Sequence, residues 1–147
     1  MGAWLREPVS GRLLVLVMGT GVGAALLDSG RPVTLDGVGC GHTGQLDVSL
    51  TDDAPIGPDA GRGSLEAYVG LPALRARFGD DPAPLIAALD EPDQALRALA
   101  RAIRICHAGF TPAHIRLAGG VGAMFAPALP VLRPLIERDL TLVASER

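Results

Sequence analysis

Apolar positions change their period partway along the chain. In the first third they fall into short runs, Leu13 to Met18, Ala24 to Leu27, Pro32 to Leu35 and Gln45 to Leu50, separated by glycine-containing turns. Runs of this length bounded by turn residues predict strands. From Leu65 onward the spacing is helical, first through Leu65, Tyr68 and Val69, then over Leu71 to Phe78, and again over Pro84 to Leu89 beyond the Gly79-Asp80-Asp81-Pro82 breaker. The segment Pro92 to Ala108 places Leu96, Leu99, Ala100, Ile103 and His107 on one face, with Arg97, Arg101 and Arg104 mostly opposite. That pattern predicts an amphipathic helix of about four turns, stopped at Gly109. His114 to Leu117 reads as a strand, Ala118 to Gly122 as a turn out of it, and Met124 to Leu132 as a further helix. Strands, helices, strand and helix in this order predict an α/β lobe.

Composition narrows the picture without changing it. With 147 residues, 48% of them hydrophobic, the chain can bury one real core, so a single domain over 1–147 is expected. The formal charge is −3, and the 13 basic residues are scattered singly, which leaves no basic stripe to track nucleic-acid phosphates. The longest apolar runs fall far short of the roughly 20 residues of a membrane span. The opening Met-Gly-Ala-Trp-Leu-Arg-Glu lacks the blocks of a signal peptide, so a cytoplasmic protein is expected. Cys40 and Cys106, two unclustered cysteines, suggest neither a disulfide scaffold nor a metal knuckle.

Candidate chemistry starts at Gly19-Thr20-Gly21-Val22-Gly23, where an apolar strand enters a glycine-spaced turn and leaves as a second strand. Such glycines can take positive φ and let successive amides point into one anion-sized concavity, with the Thr20 hydroxyl as a further donor. The same residues also describe an ordinary tight hairpin. A dinucleotide fold is not indicated, because Ala24 stands where the third glycine of G-x-G-x-x-G belongs and Asp28-Ser29-Gly30-Arg31-Pro32 reads as a turn rather than a helix. A Walker loop is excluded because the chain has no lysine.

Taken in order, the landmarks resemble those of the ROK sugar kinases and regulators (repressor, open reading frame, kinase). Gly19 to Gly23 match the family's GTG-x-G turn, and Cys40-Gly41-His42-Thr43-Gly44-Gln45 stands at its A-G-E-x-G-H segment. Gly57 to Glu66, followed by Ala67-Tyr68, lines up with the C-x-C-G-x-x-G-C-L-E zinc segment, and Ala118-Gly119-Gly120-Val121 with the late G-G-G turn. The resemblance covers roughly Leu13 to Leu140. It implies the C-terminal lobe of an actin-like ATPase (ribonuclease-H-like) fold, a mixed sheet with flanking helices, truncated at both ends. It further implies ATP with Mg as cofactor, its phosphate on a turn at 19–23 (Gly19, Thr20, Gly21, Gly23) and its adenosine on a turn at 118–122 (Gly119, Gly120). Sugar hydroxyls would be held from the altered segment 40–66 by His42, Gln45 and Glu66. A homodimer, or a complementing N-terminal lobe from another chain, is the implied protein partner.

The departures from the family pattern carry as much information. Its zinc-binding histidine falls on Gln45 and its three cysteines on Gly57, Asp59 and Ser64, so no tetrahedral nitrogen and sulfur site is expected. The loop is then expected to be held by Pro55, Pro58 and packing, and to be mobile. Glu66 alone keeps its identity in the sugar pocket; on its residues alone it reads equally as a helix-start carboxylate, with Ser64 as the cap.

Phosphoryl transfer to a hydroxyl also needs a base and in-line, metal-bound phosphates. The resemblance places that base, an aspartate, upstream of the GTG turn, and none of the 18 residues before Gly19 is aspartate or asparagine. Asp28, Asp36, Asp47, Asp52, Asp53 and Asp59 read as turn or surface carboxylates. The resemblance also places a strand at Leu140 to Ala144. Three readings follow: one lobe of a hexose or N-acetylhexosamine kinase that does not catalyse in this chain alone, a non-catalytic sugar- or nucleotide-binding module related to ROK transcription regulators, and an inactive fragment.

Overall fold

A computed structural model of the chain describes residues 10–39 and 41–138. The reading of Cys40 and the strand expected at 140–144 lie outside the described residues.

Among the described residues, four strands form one sheet in the order β3-β2-β1-β4. Strand β1 (Arg12–Met18) pairs antiparallel with β2 (Val22–Asp28) on one side and parallel with β4 (His114–Ala118) on the other. The sheet is therefore mixed, as expected. Its central strand is buried on both faces from Leu13 to Leu16, which is why that run is almost continuously apolar rather than alternating. Leu14, Leu16 and Met18 pair across the hairpin with Leu26, Ala24 and Val22, and Leu14 and Leu16 pair with Ile115 and Leu117 of β4, so one face of three strands feeds the main core. Leu13, Val15 and Leu27 form a smaller cluster on the other face, with Ala118 against it.

Helices pack on the main-core face. They are α1 (Leu65–Val69), α2 (Leu71–Phe78), α3 (Ala83–Ala87), α4 (Gln94–Phe110), α5 (Gly119–Met124) and α6 (Leu129–Glu137). Helix α4 is the longest and buries Leu96, Leu99, Ala100 and Ile103 as its periodicity predicts, together with Ala95, Ala98, Ala102 and Cys106. Its N-terminus is capped by Asp93, whose carboxylate accepts from the Ala95 amide at 2.7 Å and also pairs with Arg77.

Several expected boundaries move. Gly109 lies inside α4, and the helix ends where Thr111 takes a left-handed conformation (φ 43°, ψ 52°). The run Pro32 to Leu35 gives only a two-residue strand, β3 (Arg31–Pro32), because proline has no amide for a ladder and Leu35 pairs instead with Val38 across a small turn of its own. Gln45 to Leu50 is not a strand. Thr43–Gln45 is a 3-10 turn, and beyond it the chain meets its neighbour through the single bridge Asp47 to Ser64. Residues 118–122, expected as a turn, open helix α5, and the helix expected over 124–132 is interrupted by a 3-10 turn at Ala126–Ala128 containing Pro127.

Candidate functional site

The end of the sheet where β1 and β4 terminate side by side gathers most of the residues singled out in the sequence. Because these two strands are parallel and Val17 lies opposite Ala118, the segments that follow them start next to each other. Open α/β sheets place their ligands beyond the carboxyl ends of strands in this way. The residue after β4, Gly119, has φ +82°, and a Cβ built on it would lie 2.3 Å from the Met18 carbonyl oxygen. Only glycine fits there. A Cβ on Gly122, three residues later, would lie 3.1 Å from the Leu117 carbonyl carbon, tighter than an ordinary contact. Gly120 meets nothing within 4 Å, so its backbone faces open space.

On the β1 side, Gly19-Thr20-Gly21 is the three-residue connection of the β1–β2 hairpin, closed by the Gly19 amide donating to the Gly21 carbonyl at 2.9 Å. The segment is thus the tight hairpin that its residues allow as one reading. Against expectation, Gly19, Gly21 and Gly23 do not take positive φ, because the hairpin closes without a left-handed residue. The Gly19 amide is also turned inward. What remains for a ligand are the amides of Thr20 and Gly21, which make no hydrogen bond within the described residues, and the exposed Thr20 hydroxyl. Gly19 and Gly23 have open space where a Cβ would stand. The turn is braced from behind by the Leu71 amide, which donates to the Gly19 carbonyl at 2.9 Å, and by Gly70, whose missing Cβ would sit 3.0 Å from the Thr20 carbonyl oxygen.

Glu66 connects this turn to the segment around residue 44. Its Oε1 accepts the Val22 amide hydrogen bond at 2.8 Å. A Cβ on Gly21 would lie 2.5 Å from that oxygen, and one on Gly44 would lie 2.3 Å from it. The carboxylate thus occupies a slot between two glycines, half-buried, with Oε2 left for a further donor among the described residues. The helix-start reading of Glu66 holds only for its position in the first turn of α1. Its charge is spent on the β2 amide, and Ser64, at the N-cap position, makes no side-chain cap bond. Gly44, Gly70 and the Val22 amide were not singled out in the sequence; the one legible signal was a glycine two residues after His42.

His42 precedes the Thr43–Gln45 turn, Gln45 ends it, and both are exposed. No hydrogen bond among the described residues joins either of them to Glu66. They share its neighbourhood through Gly44, so the sugar set predicted from the sequence is brought near one place without being locked together.

The zinc that the resemblance implies does not fit this chain. Positions 57, 59 and 64 do converge, but Ser64 Oγ donates to Asp59 Oδ1 at 3.1 Å, and a side chain on the buried Gly57 would lie 2.1 Å from Ser64 Oγ. The space is filled by a serine–aspartate pair that offers one hard oxygen donor set and no thiolate. The expectation that prolines and packing hold the loop is incomplete. Gly61 donates to Asp59 Oδ1 at 3.2 Å, Gly57 donates to the Gly61 carbonyl at 2.9 Å, Gly63 donates to the Pro55 carbonyl at 2.7 Å, and Arg62 donates to the Ala54 carbonyl at 2.9 Å. Hydrogen bonds hold the loop in addition to the Pro55, Pro58 and packing contributions expected of it.

Of the remaining carboxylates, Asp28 sits at the far end of β2 from the hairpin turn and Asp47 accepts from the Ser49 amide and hydroxyl. Those bonds, the hydroxyl first, hold the Asp47 carboxyl below the usual carboxylate range.

No family model matches the sequence, and no curated protein matches it either. Solved structures do. The chain is similar to a ROK family transcriptional regulator, a homologue of the E. coli MLC protein, at 17% identity and TM-score 0.71 over 92% of this chain and 40% of that one. It is similar to a ROK family protein from Streptococcus pneumoniae, determined in complex with sucrose, at 18% identity and TM-score 0.66 over 92% of this chain and 49% of that one. A ROK family glucokinase from Streptomyces griseus, in complex with glucose and AMPPNP, aligns at 16% identity and TM-score 0.59 over 88% of this chain and 51% of that one. The chain spans about half the length of the structures it matches, and within that span it has the mixed-sheet, actin-like fold of ROK family proteins.

Proposed function

We propose that the chain is a ROK-type ligand-binding lobe that takes ATP phosphate on the hairpin turn at 19–23, adenosine on the segment 118–122, and sugar hydroxyls at Glu66, with His42 and Gln45 at the rim. The observation that supports this most strongly is the approach of Gly119 to the Met18 carbonyl, which brings the two glycine segments to one end of the sheet across 100 residues of sequence. The Thr20 and Gly21 amides and the Thr20 hydroxyl supply the donors that a phosphate oxygen needs. Glu66 stands beside them with one carboxylate oxygen engaged and one open, the condition in which a carboxylate can take a sugar hydroxyl as donor. ATP would be accompanied by Mg, with no coordinating residue assigned to it in this chain.

Phosphoryl transfer needs a base that accepts the hydroxyl proton. Glu66 is tied to the Val22 amide, Asp28 is at the opposite end of β2, and Asp47 and Asp59 are engaged in their own loops. None of these four stands ready as that base, and binding rather than transfer is the activity we assign to this chain. The similarity to a transcriptional regulator, at the higher TM-score of the three, favours a non-catalytic sugar- or nucleotide-binding module as the second reading.

Thermal unfolding of the purified chain, alone and with Mg-ATP or a panel of hexoses and N-acetylhexosamines, tests the proposal, because a ligand that binds only the folded state must raise the midpoint. A cooperative transition raised by ATP or by one sugar supports the binding lobe. No cooperative transition, or one that no ligand moves, contradicts it and leaves an inactive fragment.

A further inference from the structure

We propose that residues 57–64 close as a metal-free clasp, in which the Asp59 carboxylate makes the cross-link that a zinc ion would otherwise make and so fixes where helix α1 begins. Four observations point to it. Asp59 Oδ1 accepts from both Ser64 Oγ and the Gly61 amide, so one side-chain oxygen ties together three points of the loop. Ser64 is buried at 1% exposure, and among the described residues Asp59 is its hydroxyl's one hydrogen-bond partner, which makes that bond expensive to leave unmade. Gly57 is buried against the pair, and a Cβ there would lie 2.1 Å from Ser64 Oγ and 2.6 Å from Asp59 Oδ1, so a thiol at that position would displace the Asp59–Ser64 bond. Gly63, at φ +72°, returns the chain past Ser49 into α1, where the Val48 amide donates to the Gly63 carbonyl at 2.8 Å and the Leu65 amide to the Leu46 carbonyl at 2.9 Å.

The clasp has a consequence beyond the loop. Ser64 is the last residue before α1, and Glu66 lies in the first turn of that helix, reaching to the Val22 amide. Asp59 is in this sense a positioning residue for Glu66: loosening the Ser64 end of the helix lets the carboxylate leave its slot between Gly21 and Gly44. Fixing the slot by hydrogen bonds makes it independent of metal supply.

The test uses the whole chain and needs no ligand, so its outcome is separate from that of the binding proposal. Metal content, and the unfolding midpoint with added zinc and with EDTA, are measured first; no bound zinc and no movement of the midpoint are expected. Asp59→Ala and Ser64→Ala should each lower the midpoint, and the double variant should fall no further than the worse single one, because both remove the same bond. Asp59→Asn, which keeps an acceptor oxygen, should recover most of the loss. Amide hydrogen exchange adds the positioning readout: in Asp59→Ala, exchange at Val22 should rise by more than exchange at Val15 in the middle of β1. Stoichiometric zinc whose removal lowers the midpoint would overturn the proposal. So would additive losses in the double variant, or a Val22 amide that exchanges no faster than the core; if Asp59→Ala does not fold, the Asp59→Asn and Ser64→Ala variants answer the same questions.

Discussion

The Glu66 carboxylate accepts a hydrogen bond from the Val22 amide at 2.8 Å, joining the first turn of α1 to the first residue of β2 across 44 positions of sequence. This bond places a negative charge against the hairpin that is proposed to take phosphate. The two proposed ligands should therefore respond in opposite directions to the loss of that charge. Glu66→Gln keeps an oxygen for Val22 but removes the charge, and should weaken sugar binding by roughly 1 to 3 kcal/mol while tightening Mg-ATP. Calorimetric titration of each ligand measures both. Unchanged sugar affinity would return Glu66 to a bracing role.

The glycines that make room for Glu66 give a second prediction. Gly21→Val and Gly44→Ala each put a side chain where Oε1 now lies. Both should expel the carboxylate and mimic the sugar defect of Glu66→Gln, and Gly21→Val should in addition weaken nucleotide binding by crowding the turn. Full nucleotide affinity in Gly21→Val would remove the phosphate role of residues 19–23.

Gly119 and Gly120, adjacent in sequence, should behave differently. Gly119→Ala forces a side chain onto the Met18 carbonyl at φ +82°, and should cost roughly 2 kcal/mol or more from the backbone conformation and the overlap together. Gly120→Ala meets open space within α5 and should be neutral or stabilising by up to about 1 kcal/mol, the usual helical gain over glycine. Urea unfolding of both variants checks the contrast, and equal losses would contradict the close approach of α5 to β1.

Cys106 is buried in α4, and burial pushes its thiol above the ordinary value of 9.0. The native thiol should therefore resist alkylation at pH 8, as followed by peptide mass, until the chain is unfolded. The pH dependence has a definite sign. A raised folded-state value means the stability contribution is complete below the unfolded thiol's titration near 9.0 and is lost as pH climbs beyond it. Rapid modification of Cys106 in the native chain would contradict its burial.

Periodicity located most of the fold because the signals were local. The β1–β2 hairpin, α2 at Leu71 to Phe78, the buried face of α4 and the strand at His114 each follow from residues within a few positions of one another. Where the sequence misled, tertiary contacts had displaced local preference. Gln45 to Leu50 alternates like a strand, but Thr43–Gln45 is held as a 3-10 turn over Glu66 and only one bridge forms beyond it. The Ala118 to Gly122 glycines read as a turn, and of them only Gly119, the first residue of α5, takes a positive φ. The candidate site was legible as two glycine segments and one glutamate. Their convergence was not, because it depends on the parallel pairing of β1 with β4, and no local pattern states that pairing.

The two glycine segments are proposed to receive one ligand. A titration of isotope-labelled chain with Mg-ATP, followed through amide chemical shifts, addresses this residue by residue. Saturable shifts at Thr20, Gly21, Gly119 and Gly120, with Gly11 at the opposite end of β1 and Gly109 in α4 unmoved, are the predicted result. Saturable binding that leaves those four amides unmoved, or no saturable shift at any residue, would contradict it.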